Sequence, residues 1–125
     1  MESAYDRIQY YKLSRKEKDE IIKKIRKSLA KDKRIQLAII FGSLTTRDYV
    51  RDLDICISSN PKLNFKERLD LNAEIELELG IPVDLLELEN LPENLQTRIV
   101  RNGIIIKGSK NLLTKLLSQL DVGQS

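Results

Sequence analysis

Two short apolar runs joined by a polar loop constrain this chain more than any other feature. The first, Ile35-Gln36-Leu37-Ala38-Ile39-Ile40-Phe41, ends at Gly42-Ser43. The second opens with Asp52-Leu53-Asp54 and continues as Ile55-Cys56-Ile57. Short runs rich in β-branched residues and bounded by turn residues read as buried strands. The link from Phe41 to Asp52 is too short for the helical crossover of a parallel pair, so the two strands are expected to be antiparallel neighbours. Residues i and i+2 of a strand share a face, which would place Asp52 and Asp54 together beside the Gly-Ser turn. Adjacent carboxylates repel, and burying them unpaired is costly. A hard cation such as Mg²⁺ between them removes that conflict. The amides of a Gly-Ser turn suit an anion such as phosphate.

The remaining sequence supplies the layers for such a sheet. Ser14-Arg15-Lys16-Glu17 is a capping box, and Ile21, Ile22, Ile25 and Leu29 share one face of a helix expected from Lys16 to Lys31. Asn64 to Glu67 is a second capping box. Leu69, Leu71, Ile75 and Leu79 follow it, and Gly80 stands where a helix closes. Pro82-Val83 opens a third strand carrying Asp84. Leu91-Pro92-Glu93 starts a short helix that Asn102-Gly103 stops, and Ile104 to Lys107 forms a fourth strand at an edge. Leu112, Leu113, Leu116, Leu117 and Leu120 stripe a final helix, with 121–125 as a polar tail and 1–13 as a loose arm or short strand. The expected architecture is α/β: a mixed four-stranded sheet covered by helices, in one domain spanning 1–125.

Composition excludes several chemistries. The 125 residues contain no histidine and one cysteine. Imidazole zinc sites, histidine general bases and internal disulfides are therefore impossible, and acid–base work falls to carboxylates, Lys or Tyr. No run reaches the roughly 18 apolar residues of a membrane span, and no signal-peptide pattern opens the chain, so a cytoplasmic protein with no membrane partner is expected. A net charge of +3 is mildly basic. Lys23, Lys24, Arg26, Lys27 and Lys31 leave nucleic-acid contact open, but a solvated helix face is the favoured reading. Cys56 reads as a small buried residue, and Glu87, three residues from Asp84, falls on the opposite face.

In their order, Phe41-Gly42-Ser43, Asp52-Leu53-Asp54 and then Asp84 within Val83-Asp84-Leu85-Leu86-Glu87-Leu88 resemble the signature of the polymerase-beta-type nucleotidyltransferase superfamily. The small size is similar to its minimal nucleotidyltransferase (MNT) branch. The resemblance covers roughly residues 35–107. It implies that Asp52, Asp54 and Asp84 are catalytic and hold two Mg²⁺ ions, with Mn²⁺ as a substitute. It further implies that Gly42 and Ser43 hold the phosphates of ATP or another nucleoside triphosphate, and that a nucleoside monophosphate, AMP first, is transferred to a hydroxyl. Arg47 and Arg51 read equally well as triphosphate or acceptor contacts and as ion pairs with Asp48 or Asp52. The segment Leu44 to Arg51 departs from the family pattern in lacking a glycine. Many MNT proteins are the antitoxin beside a HEPN-domain helical partner, and here the resemblance makes that partner the acceptor. Self-association is the other way to complete a chain with no visible acceptor domain. A binding-only antitoxin or scaffold and a small-molecule (drug-type) nucleotidyltransferase are the alternatives.

Overall fold

The computed structural model describes residues 10–46 and 48–124. A two-residue strand, β1 (Tyr11–Lys12), leads to Ser14, whose side chain starts helix α1 (Arg15–Ala30). The Ser14 hydroxyl accepts from the Glu17 amide and the Glu17 carboxylate accepts from the Ser14 amide, both at 3.1 Å. Two amides that the helix itself cannot satisfy thus find partners. The same reciprocal pair, Asn64 and Glu67, opens α3 (Phe65–Leu79), and Gly80 closes it at φ 70°, a left-handed conformation that glycine adopts without a Cβ penalty.

The four-stranded sheet consists of β2 (Ile35–Phe41), β4 (Leu53–Ser59), β5 (Val83–Glu87) and β6 (Ile104–Lys107), in the spatial order β5-β4-β2-β6. β2 runs antiparallel to both β4 and β6, whereas β4 and β5 are parallel. The expected mixed sheet, its antiparallel first pair and the edge position of Ile104–Lys107 all hold. One face buries Ile40, Ile55, Ile57, Val83 and Leu85 against Ile25 and Leu29 of α1 and Ile75 of α3. The other buries Leu37, Ile39, Phe41 and Cys56 against Ile99 of α4 (Glu93–Asn102) and Leu113 of α5 (Lys110–Gln124). A 3₁₀ turn at Leu88–Asn90 joins β5 to α4. Arg26 of α1 donates through Nε to the Ile106 carbonyl at 3.2 Å, and Lys107 Nζ donates to the carbonyls of Leu29 and Asp32 at the end of α1. No helix among the described residues is long and apolar enough to cross a membrane.

Several boundaries differ from the sequence reading. Helix α5 continues to Gln124, past the tail expected from Asp121, since Gly123 weakens the helix without ending it. Its leucines pack on the second core, with Leu113 buried and Leu112, Leu116, Leu117 and Leu120 half-buried. In α3 the expected apolar face is narrower: Ile75 is buried, but Leu69 is 52% exposed. The segment before α1 is a short strand where it is described: Tyr11–Lys12 pairs antiparallel with β3 (Tyr49–Val50). The rest of the expected arm, residues 1–9, lies outside the described residues, as do Arg47 and Ser125.

Candidate active site

Register builds the site before any side chain is considered. Asp54, second residue of β4, is paired with Phe41 of β2 on one side and Asp84 of β5 on the other. Neighbouring strands lie about 4.8 Å apart, so Asp54 and Asp84 are side by side. By strand parity Asp54 shares the face of buried Cys56, and Asp84 that of Leu86, which packs on the same second core. Asp52 stands just before β4, which begins at Leu53. The backbone at Leu53 is nonetheless fixed to the third strand's entry, since its amide donates to the Pro82 carbonyl at 2.9 Å.

The electrostatics follow from that crowding. Burial pushes the Asp54 carboxyl up to about 6, and the charges of Asp52 and Asp84 push in the same direction. Asp52 is half-buried and Asp84 exposed, so the trio opens to solvent on one side. Gly42 turns with φ 81°, and a Cβ there would overlap the Asp54 carboxylate oxygen Oδ2. A side chain at Gly42 would be strained by the left-handed backbone and would displace the Asp54 carboxylate, which sits directly against the turn. A four-residue helix, α2 (Ser43–Thr46), follows. Leu44 is buried and anchors it to the core.

The other residues singled out by sequence divide. The Thr45 hydroxyl donates to the Gly42 carbonyl at 2.8 Å, so it braces the turn and is not directed at a phosphate. Arg51 is exposed at the bend between β3 and β4, while Arg47 lies outside the described residues, as does the side chain of Ser43. Burial pushes the Cys56 thiol up to about 12, which removes it as a nucleophile. Glu87 faces away from the trio and pairs with Arg68 at 3.3 Å, and Glu89 pairs with Lys62. Asn72, Glu76 and Arg68 of α3 escaped the sequence reading. Arg68 and Asn72 join Phe65, Asp84, Glu87 and Leu91 in lining a groove of about 370 Å³ along β5. Their helical spacing with Phe65 and Leu69 was the available signal, but nothing in it shows which strand they meet.

Three carboxylates form an oxygen donor set that suits a hard divalent cation. Among the described residues, no three acidic or thiol side chains already converge in the geometry of a metal site. Backbone register sets Asp54 beside Asp84, Asp52 lies two residues before Asp54, and rotation of side chains would have to complete the ligand set.

Residues 23–111 match the sequence model of the family described as "Polymerase beta, Nucleotidyltransferase". The chain belongs to this family. No curated protein matches it in sequence. Solved structures share the nucleotidyltransferase fold. A chain from a toxin–antitoxin structure with AMP-PNP is 24% identical, with 82% of this chain and 86% of that one covered and a TM-score of 0.69. A chain from the toxin–antitoxin MntA-HepT is 21% identical over 85% of this nucleotidyltransferase and 86% of its own length, at a TM-score of 0.67. A third comes from a tri-AMPylated Shewanella oneidensis HEPN toxin in complex with MNT antitoxin; it is 22% identical, with 86% and 92% covered and a TM-score of 0.63.

Proposed function

We propose that this nucleotidyltransferase transfers AMP from ATP to a hydroxyl of a HEPN-type helical protein, as the antitoxin of a cytoplasmic toxin–antitoxin pair. The observation that carries the reading is Asp54, set against the Gly42 turn and crowded by Asp52 and Asp84. The AMPylated HEPN toxin in the Shewanella complex supports the choice of nucleotide and acceptor.

Each residue then has a task. Asp52 and Asp54 would hold the divalent ion that accompanies the triphosphate, and Asp84 would complete a second metal position on the acceptor side. When bound, Mg²⁺ or Mn²⁺ would offset the like charges of the trio and of the phosphates and would polarise the α-phosphoryl group. The Gly42-Ser43 turn receives the β- and γ-phosphates, with Arg47 and Arg51 near the triphosphate or acceptor. The acceptor hydroxyl attacks the α-phosphorus, its proton passes to the Asp84 carboxylate, the bond to the bridging oxygen breaks, and pyrophosphate leaves. A protein acceptor would hold its own hydroxyl in line with the α-phosphorus, and positioning accounts for much of the rate.

The test is α-labelled ATP with the protein alone, with aminoglycoside-type alcohols, and with its HEPN-type partner. Label is expected on the partner protein. Efficient labelling of a small alcohol would replace this reading with a drug-type activity. If no label moves and an Asp52→Asn/Asp54→Asn variant still neutralises the partner, the protein acts by binding alone.

A further inference from the structure

β5 is the outermost strand of its side of the sheet, and it carries Asp84 beside a like-charged neighbour. One edge of β5 bonds to β4. On the other edge, two amides are taken up by side chains of α3 and not by another strand. The Val83 amide donates to Glu76 Oε1 at 2.7 Å, and the Leu85 amide donates to Asn72 Oδ1 at 3.1 Å. Asn72 Nδ2 in turn donates to the same Glu76 oxygen at 3.2 Å. The two side chains are one turn apart on α3, so they form one linked unit. They grip β5 at the residues immediately before and after Asp84.

We infer that Asn72 and Glu76 are positioning residues for Asp84, a clamp that holds this carboxylate beside Asp54. The inference rests on the reading of the trio as a metal site. The physical need is plain. Carboxylates at register positions repel, and an edge strand held from one side yields to that push. Two charge-assisted or neutral amide bonds on the outer side resist it, and the Asn72–Glu76 bond fixes which face of the Asn72 amide meets Leu85. Groups bonded directly to a metal ligand change affinity by about 10–100-fold when removed; this clamp holds the backbone on either side of the ligand, so the lower end applies. Neither side chain is proposed to touch the metal, the nucleotide or the acceptor.

The experiment is a double-mutant cycle on Mn²⁺ binding, measured by calorimetry with the full chain. Asp84→Ala gives the reference loss. Asn72→Ala is expected to weaken Mn²⁺ binding about 10-fold. The Asn72→Ala/Asp84→Ala double variant should be no weaker than Asp84→Ala alone, because Asn72 acts through Asp84. Glu76→Gln, which keeps an acceptor oxygen for Val83, should stay near wild type, whereas Glu76→Ala should follow Asn72→Ala. Should Asn72→Ala fail to fold, Asn72→Ser takes its place in the cycle. Losses that add independently, or Mn²⁺ affinity unchanged in the Asn72 and Glu76 variants, would overturn the clamp. AMP transfer is measured beside it: kcat should drop in Asn72→Ala with KM for ATP nearly constant. Additive losses in a protein that transfers AMP overturn the inference and leave the function standing. A coupled cycle in a protein that transfers nothing does the reverse. If Asp84→Ala binds Mn²⁺ like wild type, the inference falls, and AMP transfer alone decides the function.

Discussion

Replacing Asp54 by asparagine should stabilise the metal-free protein at neutral pH. The folded Asp54 carboxyl titrates at about 6 against an ordinary 3.8, with burial as the first cause and Asp52 and Asp84 after it. The raised value means that the folded state binds the proton more tightly than the unfolded state does. Stability is therefore greatest below the unfolded value, falls as pH rises from about 3.8 to about 6, and stays at the lower level above. A change of this size corresponds to about 3 kcal/mol as an upper bound. Solvent reaches the half-buried carboxyl, so the expected loss is about 1–2 kcal/mol. Asparagine removes the charge and keeps nearly the same volume. Thermal unfolding in EDTA should then show Asp54→Asn melting about 3–10 °C above wild type at pH 7.5 and converging with it near pH 4. Mg²⁺ should raise the wild-type melting temperature much more than that of the variant. Coincident curves at pH 7.5, or a gap that does not change with pH, would refute the electrostatic reasoning.

Gly42→Ala should cost about 1–2 kcal/mol for the left-handed backbone alone, and should also weaken Mn²⁺ binding, because its Cβ displaces the Asp54 carboxylate; urea unfolding and calorimetry read the two effects separately. Asn64→Ala, which removes the capping box of α3, should lower stability by about 1 kcal/mol in urea unfolding and leave AMP transfer intact. Cys56 should resist iodoacetamide at pH 8 in the folded protein and react promptly in denaturant, since burial holds its thiol protonated. Rapid labelling of native protein would contradict the buried placement.

Much of this arrangement was legible from residue order because local rules agree with the tertiary outcome. The capping boxes at Ser14 and Asn64, the left-handed Gly80 and the apolar runs of β2 and β4 each act within a few residues, where sequence is informative. Asp54 and Asp84 were legible for a related reason: an acidic residue within an apolar strand needs an explanation. Their pairing in register was a different matter. It depends on β4 and β5 being parallel neighbours across the α3 crossover, which no short-range pattern encodes. The contacts of α3 with β5 were hidden for the same reason, as was the pairing of Tyr11–Lys12 with Tyr49–Val50, which joins two segments far apart in sequence through two residues each. The limits of α5 were misread because Asp, Val, Gly and Gln after Leu120 weaken a helix without ending it.

The two outer strands of the sheet share a property with consequences for assembly. β5 spends its outward amides on Asn72 and Glu76, and β6 has the Ile106 carbonyl occupied by Arg26. Strand addition requires a free ladder of donors and acceptors along such a border. Here helix side chains already occupy part of that ladder on both sides. Strand addition at either edge would first have to break these bonds, which hinders strand-mediated aggregation. A partner that docks on helix faces or loops, recognised by side chains, meets no such cost.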